Sequence, residues 1–74
     1  MDKLPVLSAI QLIKILTKIG YYPIRQKGSH ITLSSPNYPQ ITVPFHKEMA
    51  RGTLRAIIRE IGLTRDQFME LLEK

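Results

Sequence analysis

Apolar residues recur at helical spacing towards both ends of the chain and alternate with polar ones in the middle, a pattern that predicts helices flanking a small sheet. Leu12, Ile15, Leu16 and Ile19 form one stripe, with Gln11, Lys14 and Lys18 on the other side. Ser8 is placed as the N-cap of this helix. Gln11, three residues on, completes a capping box, and Leu7 with Leu12 fits a hydrophobic staple. Gly20 is placed to end the helix in a left-handed cap. The period then changes. Residues 21–26 are aromatic and β-prone, residues 29–34 alternate, and residues 40–43 alternate again before Pro44. Lys27-Gly28 reads as a tight turn and Ser35-Pro36-Asn37-Tyr38-Pro39 as a loop. Leu54, Ile57, Ile58 and Ile61 return to helical spacing as far as Gly62. Thr64 with Gln67 gives a second capping box and Leu63 with Phe68 a second staple, and Phe68, Leu71 and Leu72 make the last apolar stripe. The expected order is α-β-β-β-α-α, an α+β fold with helices on one face of a three-stranded antiparallel sheet. No repeat or linker interrupts it, so residues 1–74 read as a single domain.

Composition narrows the partners. At 74 residues and 43% apolar content the core is real but small. The absence of cysteine excludes a disulfide framework, thiolate metal ligands and a thiol nucleophile, and fits a reducing compartment. Residues 1–5 carry no signal-peptide run and no stretch approaches a membrane span, so a cytoplasmic location is expected. Eleven Lys and Arg against six Asp and Glu leave a net charge of +5. In so small a body that favours a polyanion or an acidic protein partner, or serves solubility alone.

Strand alternation supplies candidate chemistry. Ile31, Leu33, Ile41 and Val43 are expected on the buried face, and His30, Thr32, Gln40 and Thr42 on the bare one. Tyr22 and Ile24 are expected to join the buried side and Arg25 the bare side. With Lys27-Gly28 as a two-residue loop, Arg25 falls opposite His30. His30 is then either an idle surface histidine or a proton-transfer group, since imidazole titrates near neutrality. Metal-free RNA cleavage needs a base for the ribose 2′-OH or an acid for the leaving 5′-oxygen, and His30 suits either role. Arg25 and Lys27 are placed to hold the phosphate and its transition-state charge. Ser29 orients the ring, donates to a phosphate oxygen, or simply follows a turn. His46 supplies the complementary acid or caps the following helix. Two histidines without supporting carboxylates make no metal site, and no cofactor is expected. Lys47 and Arg51 join Arg25 and Lys27 as the candidate RNA-binding set. Arg51, Arg55 and Arg59 form a helical stripe that suits a phosphate backbone, an acidic partner or plain solvation.

Several segments in order resemble the HicA toxin family. They are Leu4-Pro5-Val6-Leu7-Ser8, Leu16-Thr17-Lys18-Ile19-Gly20-Tyr21, Arg25-Gln26-Lys27-Gly28-Ser29-His30, Val43-Pro44-Phe45-His46 and the run from Gly52 to Leu63. The resemblance covers nearly the whole chain. It implies a fold similar to double-stranded-RNA-binding domains, mRNA cleavage without a cofactor, an essential histidine at His30, and a HicB antitoxin that binds over the toxin. Two positions depart from the family pattern. Ile31 stands where a second histidine or aromatic is common, and alternation sends it to the core. Ala9-Ile10 replaces the small-then-basic pair often found after the serine. A non-catalytic RNA-binding module and a pure protein-interaction subunit are the alternative readings.

Overall fold

A computed structural model describes residues 4–73; Met1, Asp2, Lys3 and Lys74, which belong to the expected 1–74 unit, lie outside the described residues. The elements are α1 (Ala9–Thr17), β1 (Tyr22–Lys27), β2 (His30–Ser34), β3 (Ile41–Pro44), α2 (Arg51–Ile61) and α3 (Arg65–Glu73). The strands form an antiparallel meander in the order β1-β2-β3.

Local chemistry sets the helix ends. The Gln11 N–H donates to Ser8 Oγ at 3.1 Å and the Ser8 N–H donates to Gln11 Oε1 at 2.9 Å, which satisfies two orphan donors of α1. Beyond α1 the chain makes the paired bonds of a Schellman turn, Tyr21 N–H to the Leu16 carbonyl and Gly20 N–H to the Thr17 carbonyl. Gly20 sits there at φ 96°, and a Cβ would meet Ser35 Oγ at 3.2 Å, so only glycine fits comfortably. Thr64 and Gln67 repeat the capping box ahead of α3.

The core lies between sheet and helices. Ile31, Leu33, Ile41 and Val43 from the sheet join Leu12 and Leu16 of α1, Leu54, Ile57, Ile58 and Ile61 of α2, and Phe68 of α3. Each fully buried apolar side chain contributes about 1.5–3 kcal/mol, which matters in a chain of this size. Lys18 Nζ donates to the Leu71 carbonyl at 2.7 Å and ties α1 to α3. Among the described residues no helix is long and apolar enough to cross a membrane.

One expectation about the core is overturned. Tyr22 and Ile24 are 52% and 45% exposed, and the whole of β1 lies open. The pairing with β2 slips between Pro23 and Arg25, so Ile24 is the extra residue of a bulge and strict alternation fails there. Tyr21, just before the strand, takes the buried place instead. Pro23, the bulge and two cations are features that blunt an exposed edge strand against further pairing.

Tyr21 donates its hydroxyl to the Pro39 carbonyl at 2.6 Å and stacks against Tyr38 with ring centroids 6.0 Å apart. Burial, and then the negative charge of Glu60 and the neighbouring Tyr38, push its phenol above the ordinary 10.0. A raised folded-state value favours the protonated form, so this contribution is complete below pH 10 and is lost as the pH climbs through the folded-state value. Tyr21→Phe is expected to cost about 1 kcal/mol at neutral pH and to flatten part of the alkaline loss of stability. Urea denaturation at neutral pH and at roughly pH 11 reads both effects.

Candidate active site

Gly28 has φ 59° and no non-glycine residue among the described ones has positive φ, so the β1–β2 connection carries its left-handed residue first, as type II′ loops do. The loop is therefore Gly28-Ser29, not Lys27-Gly28. Lys27 pairs with His30, and Arg25 pairs with Thr32. The expected placement of Arg25 opposite His30 is corrected accordingly. Lys27 is the lateral neighbour of the histidine, and Arg25 lies one pair further along the same face. On its other side His30 pairs with Pro44 of β3. Here the strand runs one residue further than alternation predicted, because an edge position needs no N–H from proline.

The face around His30 is open, with Arg25, Lys27, His30 and Thr42 all exposed. Thr32 is not part of that exposed set. It occupies the central strand between Arg25 and Thr42 and is only 9% exposed. Gln40 is exposed but precedes β3. Ile31 lies in the core, as its parity requires.

Ser29 holds the loop in place through its backbone. Its carbonyl accepts the Phe45 N–H at 2.6 Å, which fastens the hairpin tip to the chain leaving β3. The next residue, His46, does not cap the following helix. That helix has Ala50 at its N-cap and no side-chain cap bond. The His46 carbonyl instead accepts the Ala9 N–H at 2.9 Å and so serves the first turn of the preceding helix, α1. The Met49 N–H donates to the Leu7 carbonyl at 2.8 Å and completes the stitching. Between these segments runs a groove of about 300 Å³ lined by Ser8, Ile10, Phe45, His46 and Lys47. Sequence reasoning missed Phe45 and Ile10 as surface features. The available signal was an aromatic just past a strand-ending proline and next to a histidine.

The arginine stripe divides. Arg51 donates Nε to the Leu4 carbonyl at 2.8 Å and anchors the N-terminal segment. Arg55 and Arg59 join Arg65 around a second concavity of about 420 Å³ with Leu4, Ile58 and Leu63 in its wall. That concavity belongs to the helical layer, with the sheet between it and the His30 face. Of the candidate RNA-binding residues, then, only Arg25 and Lys27 share the face of His30. Lys47 lies at the groove and Arg51 against the N-terminal segment. Among the described residues no group of three or more His, Asp or Glu side chains is placed to hold a metal ion.

A three-stranded meander covered by helices on one face and bare on the other defines a small α+β protein of the double-stranded-RNA-binding-domain type. Residues 10–63 match the model of the family described as the HicA toxin of bacterial toxin-antitoxin. The chain belongs to the HicA toxin family. It is also similar to a solved chain from a toxin-antitoxin complex from Streptococcus pneumoniae, with a TM-score of 0.66 and 33% sequence identity. That similarity covers 77% of this chain and 98% of the other. A search of curated proteins returned no significant match.

The division of the arginines is measurable. Arg51→Ala is expected to lower stability by about 1 kcal/mol, because it frees the Leu4 carbonyl and releases the segment beside it. Arg55→Ala is expected to stay within about 0.5 kcal/mol of the parent. Equal losses in urea denaturation would show that Arg51 has no special anchoring role.

Proposed function

We propose that this chain is the toxin of a type II toxin–antitoxin pair, a single-domain endoribonuclease that cleaves mRNA through His30 without a metal or other cofactor. The observation that carries the reading is the Lys27–His30 pair, with Arg25 one position along, on the one sheet face the helices leave open. Net charge of +5 draws a polyanionic strand to the protein, and Arg25 and Lys27 make this face basic. Lys27 and Arg25 hold the scissile phosphate, and His30 takes the proton from the adjacent ribose 2′-OH. The freed oxygen attacks phosphorus, and negative charge builds on the non-bridging oxygens beside the two cations. The P–O5′ bond breaks and the departing oxygen takes a proton from water, which reaches this exposed face freely. His30 then returns its proton to solvent. The products are a 2′,3′-cyclic phosphate and a 5′-hydroxyl. Ser29 supports the site by fixing the hairpin tip through its carbonyl.

The neutralising partner is a HicB-type antitoxin that covers the His30 face. Family membership supports this, as does the origin of the similar structure in a toxin-antitoxin complex. A bare basic face of this kind suits an acidic protein surface as well as RNA.

Purified wild-type protein with chelator present is expected to cleave single-stranded RNA and leave cyclic-phosphate ends, while His30→Ala loses about 10²-fold or more of the rate. Unchanged cleavage by His30→Ala would sink the assignment. RNA retained intact by both proteins, with affinity falling steeply with salt, would identify a binding module instead. Because Lys27 is the lateral neighbour of His30, Lys27→Ala is expected to lower kcat/KM by about tenfold, and by more than Arg25→Ala. The reverse order would place the phosphate further along the strand.

A further inference from the structure

The geometry points to a nucleobase pocket in the groove between the first turn of α1 and the segment Phe45-His46-Lys47. It takes one unstacked base of the RNA strand whose phosphate lies at His30, and it rests on the RNA-cleaving reading above. Its position comes first. Pro44 pairs with His30, and the Phe45 N–H donates to the carbonyl of Ser29, the residue before His30. Adding one strand spacing to one Cα step puts the Phe45 and His30 Cα atoms within about 10 Å. A strand held at His30 therefore reaches the groove with a nearby nucleotide.

The lining matches the occupant. Ile10 and Phe45, 54% and 39% exposed, supply the apolar part of the wall and face the opening of the same groove. The groove they share is about 300 Å³, at the small end of ligand-binding clefts, which suits one planar heterocycle. Its remaining members are a hydroxyl (Ser8), an imidazole (His46) and an ammonium (Lys47). Stacking on an aromatic, with polar groups for the base edge and a cation for the flanking phosphate, is how single-stranded RNA is held. An uncharged apolar peptide would leave Lys47 and His46 without a counterpart.

The walls are also fixed in advance. The Ser8–Gln11 box sets the first turn of α1, and the Ala9 N–H to His46 carbonyl bond joins that turn to the opposite wall. A base entering this groove orders little protein, so its contacts appear as affinity.

The test uses a short single-stranded oligoribonucleotide, 2′-O-methylated throughout so that it cannot be cleaved, with 2-aminopurine as a fluorescent base. Binding to the wild-type protein is expected to quench the fluorophore by stacking. Phe45→Leu keeps apolar bulk but removes the ring, and is expected to abolish the quench and weaken binding about tenfold. Phe45→Tyr is expected to retain both signals. Ile10→Ala, on the facing wall, is expected to weaken binding in the same direction. Both positions are exposed, so thermal unfolding like that of the parent accompanies the expected result. Wild-type binding with Phe45→Leu indistinguishable in quench and affinity would overturn the pocket and leave cleavage at His30 standing. Failure of the wild-type protein to bind the oligonucleotide at all would overturn the RNA reading and the pocket with it.

Discussion

Ile31 and Leu33 are held in the core at 8% and 0% exposure, and the rest of the molecule is arranged around that constraint. Successive strand residues point to opposite faces, so burying these two fixes His30 on the other side of the sheet. A slip of one residue would carry His30 into the apolar layer and Ile31 into water. The hairpin ahead of His30 is short and glycine-led, which leaves the register little freedom. The placement of His30 and the packing of the core are therefore set by the same strand.

The open face has a structural cost that the fold contains in several ways. A three-stranded meander has two edges, and here β1 is exposed along its whole length. Pro23, the bulge at Ile24, and the charges of Arg25 and Lys27 all oppose pairing with another strand. The cations that discourage edge-to-edge association are the same ones that flank His30. One set of residues thus protects the sheet edge and makes the open face basic.

Backbone hydrogen bonds carry much of the tertiary positioning. Ser29 to Phe45, Ala9 to His46 and Met49 to Leu7 connect the hairpin tip, the exit of β3 and the start of α1 in sequence. These segments contain little regular structure of their own, and each bond also satisfies a main-chain group that would otherwise depend on solvent. The connections bring the histidine face and the Phe45 groove together. The concavity of Arg55, Arg59 and Arg65 lies on the helical layer, so the positive charge of the chain is divided between two sides of the sheet.

Elements with local causes were legible in the chain. The Ser8–Gln11 and Thr64–Gln67 boxes, the glycine-ended turns, the helical stripes and the α-β-β-β-α-α order follow from short-range chemistry and hydrophobic period. So did the side of the sheet on which His30 lies, because Ile31 and Leu33 fix the parity. The details that depend on contacts between distant segments did not. Which two residues form the hairpin loop decided whether Arg25 or Lys27 stands beside His30, and the preference of a type II′ turn for glycine at its first position settled it. The exposure of Tyr22 and Ile24 followed from a bulge that no alternation pattern reveals. Of the two roles the sequence leaves open for the His46 side chain, complementary acid or cap of the next helix, the cap is absent, and its carbonyl serves the previous helix instead. Arg51 left the arginine stripe because a carbonyl 47 positions away came within reach. Sequence patterns encode period and parity, whereas register slips and long-range hydrogen bonds depend on where the folded chain returns to itself.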